Sequence, residues 1–250
     1  MLDEMKSYNF SVNSLEVNAS YYEEDIQNIF MPLLEKLTDM KKNKTKRLLV
    51  YLAASPGVGK STLSSFLEYL SKESEEVQEI QAIGLDGFHY HQEYIKKNKA
   101  VVNGVKVPMV EVKGCPETFD LDKLKSKIIT LKTENVKWPI YDRSLHDVVE
   151  DQILVTKDIV LIEGNWLLLN EDGWRDLKDY CDYSIFIKVD QHMVKDRLIN
   201  RKIQGGLSKE DATKFYEKSD SKNVKRVLSN SLDADLELKL LNNGKYIIRG

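Results

Sequence analysis

Arg47-Leu-Leu-Val-Tyr-Leu-Ala-Ala54-Ser-Pro-Gly-Val-Gly-Lys-Ser-Thr62 decides the fold of this chain. An apolar run rich in strand formers stops at a Ser-Pro-Gly turn, and Lys60 opens a helical pattern that turns Leu63, Phe66, Leu67 and Leu70 inward. Strand, glycine-bearing loop and helix, with Lys-Ser at the helix start, form the signature of a phosphate-binding loop. Backbone N–H groups of the loop Ser55, Pro56-flanked Gly57, Val58, Gly59, Lys60, Ser61 and Thr62, at a helix N-terminus, are expected to form a ready anion site. Gly57 and Gly59 supply backbone angles and close approach that a Cβ would obstruct. Lys60 brings a cation for the outer phosphates, and Ser61 a hydroxyl for Mg²⁺. Ala54 occupies the place where the usual pattern begins with glycine, which is tolerable if its φ stays negative.

The surrounding composition narrows the possibilities. With 250 residues and 42% hydrophobic content, the chain is long enough for one large α/β domain with small attachments. A net charge of -3, and no long basic tract, speak against nucleic acid as a partner. The densest positive run, Lys41 to Arg47, reads as a solvated linker. Cys115 and Cys181 give neither a disulfide framework nor metal spacing, and fit free thiols in a reducing compartment. The acidic start Met1-Leu-Asp-Glu lacks a signal-like core, and no apolar run reaches membrane length, so a cytoplasmic location and no membrane partner are expected.

Along the chain, Ser20-Tyr-Tyr-Glu23 reads as a capping box ahead of a helix carrying Ile26, Ile29, Phe30, Leu33, Leu34 and Leu37, with a kink at Pro32. A second strand, from Glu79 to Leu85, ends in Asp86-Gly-Phe-His89-Tyr90. A carboxylate at the end of a strand sits on the edge where α/β sheets bind ligands. Ile95 to Gly114, basic in places and ending near Lys113, is expected to be a functional loop or hairpin. Asp120 should cap an amphipathic helix over Leu121–Leu131. Trp138-Pro-Ile-Tyr141-Asp142-Arg143-Ser-Leu-His146-Asp147 concentrates side chains suited to hydroxyl recognition, although a polar surface loop would also account for it. Asp158 to Gly164 is a buried parallel strand ending in Glu163, a candidate partner for Mg²⁺. After the strand Tyr183–Val189, Arg197 and Arg201 share a helix face. Gly205-Gly206 and a second capping box at Ser208–Asp211 suggest a lid. The tail alternates around Asn242-Asn-Gly244, a hairpin signal.

Taken in order, these motifs resemble the P-loop kinases grouped with uridine kinase, phosphoribulokinase and bacterial-type pantothenate kinase, and within them the branch described as fructose-transport-associated sugar kinases. The motifs are Ala54–Thr62, Asp86-Gly-Phe-His, Lys113-Gly-Cys-Pro-Glu-Thr-Phe-Asp, Pro139-Ile-Tyr-Asp-Arg, Glu163-Gly-Asn-Trp-Leu-Leu-Leu, Arg197-Leu-Ile-Asn-Arg201 and Asp220-Ser-Lys-Asn223. The resemblance implies an α/β, three-layer P-loop NTPase fold with a mainly parallel central sheet and a helical lid. It divides the chain into an N-terminal helical extension, 1–46, and a kinase domain, 47–250, with an acceptor-binding insertion near 86–147 and a lid near 192–222. Asp86 becomes the catalytic base, with Lys60, Arg197 and Arg201 as the catalytic cations and Ser61 with Glu163 at Mg²⁺. His89, Tyr90, Lys113, Tyr141, Asp142, Arg143 and His146 are then expected around the acceptor. Lys202 stands where some relatives place a further arginine. The implied reaction is transfer of the ATP γ-phosphoryl group to a hydroxyl of a small, sugar-like molecule. A nucleoside or pantothenate is an alternative acceptor, and an ATP-binding regulatory protein an alternative of another class. Homodimers are common among such kinases.

Overall fold

The computed structural model describes residues 4–12, 15–102 and 104–249; Met1 to Asp3 of the acidic start lie outside them. The chain opens with an antiparallel hairpin, β1 (Met5–Val12) and β2 (Leu15–Tyr22). A continuous helical stretch follows: α1 (Glu23–Asp25), a π turn over Ile26–Phe30, and α2 (Met31–Lys42). The capping-box expectation at Ser20 is therefore corrected. Ser20 is a strand residue whose hydroxyl pairs with that of Ser7 at 2.8 Å, and Tyr22 caps the helix without a side-chain hydrogen bond. The period-two alternation of Val17, Ala19 and Tyr21 against Tyr8 and Phe10 on the facing strand outweighs the local capping signal. The first 46 residues are thus not simply helical. Pro32 does not break the helix: it falls in the first turn of α2, where its missing N–H is no loss, and the irregularity is the π turn before it.

β3 (Leu48–Ala54) is buried along its whole length and leads through the glycine loop into α3 (Lys60–Glu73). β4 (Ile80–Gly84) passes into a 3₁₀ turn, Leu85–Phe88. A small insertion then holds α4 (Gln92–Lys97) and the hairpin β5 (Lys99–Val102) with β6 (Val105–Pro108). α5 (Leu121–Leu131) begins where expected, with the Asp120 carboxylate accepting from the Lys123 N–H at 3.0 Å. A second hairpin, β7 (Val136–Asp142) with β8 (Asp147–Val155), leads to β9 (Ile159–Gly164) and, later, β10 (Tyr183–Val189). α6 (Gln191–Gln204), α7 (Lys209–Phe215) and α8 (Ser221–Ser229) precede the tail hairpin β11 (Leu236–Leu240) and β12 (Tyr246–Arg249). Ser208 caps α7 by accepting from the Asp211 N–H at 3.0 Å, as its sequence indicates.

The main sheet runs β12-β11-β10-β3-β9-β4, parallel except for β12 at its edge. Successive side chains of a strand point to opposite faces, and β3 divides the core accordingly. Leu48, Val50, Leu52 and Ala54 pack with α2, α3, α6 and the N-terminal hairpin, around Phe30 and Phe66. Leu49, Tyr51 and Ala53 pack on the other face with α5, β7 and Phe88, Trp138 and Trp166. Tyr21 stacks on Phe66 at 4.0 Å between ring centres, which locks the hairpin onto α3. Arg47, just ahead of β3, is buried and spends its guanidinium on four acceptors: the carbonyls of Leu131, Glu134 and Lys157, and the Asn135 side chain.

Candidate active site

The register of the sheet explains how the site forms. Glu163 of β9 lies opposite Leu52 of β3 and Gly84 of β4, so the phosphate loop, Glu163 and the turn holding Asp86 leave the sheet on one edge. Two glycines let these segments close on each other. A Cβ on Gly87 would lie 2.1 Å from the Pro139 carbonyl oxygen, and one on Gly164 would lie 2.5 Å from the Leu85 Cβ. In the phosphate loop Gly57 and Gly59 take φ of 82° and 98°, the left-handed region that glycine enters at little cost. Ala54 is absent from the positive-φ residues of the described chain, so its methyl group is accommodated, fully buried beneath the loop.

A cavity of about 430 Å³ opens above this edge. Pro56, Gly57, Gly59, Lys60, Ser61 and Thr62 line it, as do Asp86, His89, Lys113, Tyr141, Arg143, Arg197 and Arg201. Ser55 and Val58 belong to the loop but are buried beneath the cavity; the Val58 carbonyl accepts from Arg197 Nη1 at 3.0 Å, which ties α6 to the loop. Glu163 faces an adjoining space of about 200 Å³ shared with Ser61, Asp86 and Tyr141. Its Oε1 accepts from Ser61 Oγ at 2.7 Å, and Lys60 Nζ lies 3.7 Å from Oε2.

Three expected acceptor residues lie elsewhere. Asp142 accepts from the N–H groups of Ser144 and Leu145, capping its own turn. His146 is exposed at φ 54°, and only its carbonyl reaches Lys113. Tyr90 packs against Tyr94 in the insertion, at 4.5 Å between ring centres. Among the described residues of the stretch Ile95 to Gly114, Lys113 and Gly114 line the cavity, the Lys113 ammonium donating to Gln92 Oε1 at 2.6 Å and to the Tyr141 hydroxyl at 2.8 Å. Residues without an assigned role also line it: Val17, Asn165, Lys202, Phe215, Asp220 and Asn223. Asn165 Oδ1 and Asp220 Oδ2 are buried without a protein partner. Both belong to quoted motifs, so their presence was readable but their direction was not.

Among the described residues, six cationic side chains face this cavity against two carboxylates, Asp86 and Asp220, a balance suited to a polyphosphate. Burial alone would raise the pKa of the Asp86 carboxyl; Lys60 first, then His89, Arg143 and Arg201, outweigh it and hold the group below its ordinary value. At Glu163 burial prevails and the pKa is raised, with Lys60 opposing and the charge of Asp86 adding. The two carboxyls are thereby pushed apart, so Asp86 is the more firmly ionised. Burial lowers His89 to about 4, against the pull of Asp86, so its imidazole is neutral near pH 7. Its Nδ1 lies 3.3 Å from the Thr118 carbonyl, which assigns the proton to Nδ1 and leaves Nε2 as an acceptor. The ring stacks on Phe119 at 3.8 Å.

Ser61 Oγ, Glu163 and nearby Asp86 are hard oxygen donors, and no group of three or more His, Cys, Asp or Glu side chains among the described residues would enclose a metal. That set fits Mg²⁺, which takes one or two carboxylates and completes its shell with phosphate oxygens and water.

Residues 49–243 match the profile of the phosphoribulokinase/uridine kinase family. An uncharacterized protein of Escherichia coli (strain K12), YggC, is 40% identical over 94% of this chain and 96% of its own length. A pantothenate kinase of Lactococcus lactis subsp. cremoris is 26% identical, covering 95% of this chain and 81% of its own. Among solved structures, a candidate fructose transport system kinase from Silicibacter sp. TM1040 superposes with a TM-score of 0.72 at 30% identity, over 82% of this chain and 97% of that one.

Proposed function

We propose, given that this chain belongs to the phosphoribulokinase/uridine kinase family and is a kinase, that it transfers the γ-phosphoryl group of ATP in line to a hydroxyl of a small, sugar-like acceptor. The observation that carries this reading is the single cavity holding the phosphate loop, Asp86, Arg143, Arg197 and Arg201 together. In it the loop amides and Lys60 hold the outer phosphates. Ser61 and Glu163 would hold Mg²⁺, which when bound would supply charge neutralisation to the phosphates. Asp86 orients the acceptor hydroxyl and takes its proton as the O–P bond forms and the bond to the ADP oxygen breaks. Its low pKa suits orientation of the hydroxyl, with proton transfer late, when the attacking oxygen has become acidic. Arg197 and Arg201 balance charge on the moving group. His89 Nε2, Tyr141 and Arg143 then read the rest of the acceptor.

The likeness to a candidate fructose transport system kinase favours a sugar. Lys113 and Arg143 at the acceptor end favour, as a second reading, an acceptor that also bears a carboxylate or phosphate, and the pantothenate kinase relative is consistent with it. A screen of neutral hexoses and polyols, nucleosides, pantothenate and sugar phosphates, with coupled detection of ADP, tests both. Stimulation by one class at least tenfold over background ATP hydrolysis is expected. If none stimulates, the transferase reading falls and an ATP-dependent regulatory role replaces it. Lys113→Ala should then discriminate, weakening an anionic acceptor and sparing a neutral one.

A further inference from the structure

The geometry points to the N-terminal hairpin as the wall that receives the nucleoside of ATP, with Val17 as its contact residue. This rests on the kinase reading above. Among the described residues ahead of β3, Val17 is the one that lines the cavity, and it lies outside the stretch matched by the family, residues 49–243. Its place there is built in. Tyr8, Phe10, Ala19 and Tyr21 pack the inner face of the hairpin against Phe66 of α3, with Tyr8 and Phe10 also touching Tyr69. Four residues along an extended strand span about 13 Å, and Phe66 lies seven residues, about 10 Å, from Gly59 along the helix. A strand anchored by Tyr21 on Phe66 therefore carries Val17 to the level of the first turn of α3, where Gly59 and Thr62 line the same cavity.

Which end of the cavity this is follows from the two faces of the sheet. The elements that surround Asp86, His89 and Tyr141 pack on the face with Phe88, Phe119 and Trp138. The hairpin, α3 and α6 pack on the other, with Val58, Phe66 and Leu198. Val17 thus enters from the side of the phosphate loop, across from the acceptor groups. A ligand whose γ-phosphate points toward Asp86 must direct its nucleoside the other way. Phosphates are served by amides and cations; the apolar branched side chain of a half-buried valine suits the sugar and base that follow them.

The full-length protein and its Val17→Ala and Val17→Asn variants are titrated calorimetrically with ATP and with inorganic tripolyphosphate, both in the presence of Mg²⁺. ATP affinity should fall about threefold for Val17→Ala and about tenfold for Val17→Asn, from the apolar contact each removes. Tripolyphosphate affinity should stay within twofold, a separation that a general loosening of the loop would not produce. The inference is overturned if ATP affinity is unchanged in both variants, or if both ligands weaken together. Wild-type protein that binds neither ligand would overturn the kinase reading itself, a result distinguishable because it needs no variant.

Discussion

Gly87→Ala is a one-methyl test of how Asp86 is positioned. The added Cβ would lie 2.1 Å from the Pro139 carbonyl oxygen and 2.9 Å from the Ile140 nitrogen, both backbone atoms of β7. Restoring ordinary contact at 3.4 Å requires the turn and β7 to separate by about 1.3 Å. Strain of this kind costs about 1–3 kcal/mol, so the thermal midpoint should fall by about 3–10 °C for a chain of this size. Since Asp86 precedes the altered residue, its carboxyl shifts with the turn, and a displacement near 1 Å should lower the turnover rate by about a hundredfold. The phosphate loop comes from other elements, so the ATP affinity should remain within threefold of wild type. Coupled ADP release with the acceptor found by screening, together with thermal unfolding, checks both effects. A Gly87→Ala protein with wild-type turnover and midpoint would refute the reasoning, showing that the turn absorbs a methyl group and that the placement of Asp86 does not govern the rate.

Three further outcomes are expected. Asp86→Asn should bind ATP at least as tightly as wild type, since one negative charge among the cations is removed, and should lose about 10²–10⁴ in turnover; retention of the wild-type rate would remove Asp86 from the role of base. His89, at about 4 in the folded chain against 6.5 unfolded, binds its proton more readily when unfolded, so its contribution is whole above pH 6.5 and is lost as pH falls toward 4. Between pH 7 and pH 5 that amounts to about 2 kcal/mol, which urea unfolding should show for wild type and not for His89→Gln. Arg47→Ala strips four acceptors of their donor and should cost about 3 kcal/mol or more, read as a lower urea midpoint; an unchanged midpoint would mean that water replaces the guanidinium.

What the sequence made legible is what depends on neighbouring residues. The phosphate loop, the α5 cap at Asp120, the tail hairpin and the strand-end carboxylates Asp86 and Glu163 all follow from short patterns whose physics is local. The hairpin of residues 5–22 escaped because Ser20 and Glu23 satisfy a helix-start pattern, whereas the competing strand is stabilised by Phe66 and Tyr69, more than forty residues away. Asp142, Arg143 and His146 are nearly consecutive, yet only Arg143 lines the cavity: a turn directs each side chain separately, and composition cannot tell which way. Asn165 and Asp220 were visible as motif members, but the burial that leaves their oxygens unpartnered arises only when β9 and the segment from α6 to α8 assemble.

The alternation of β3, one residue up and the next down, has an evolutionary corollary. In the proposed reaction the groups assigned to the nucleotide grow from one half-core and those assigned to the acceptor from the other, so drift in Phe88, Phe119 or Trp138 should remodel acceptor preference while leaving nucleotide binding intact. A chimera that exchanges residues 86–147 with a relative of different preference should therefore inherit a new acceptor and keep its nucleotide, the modular behaviour that lets one scaffold diversify into many kinases.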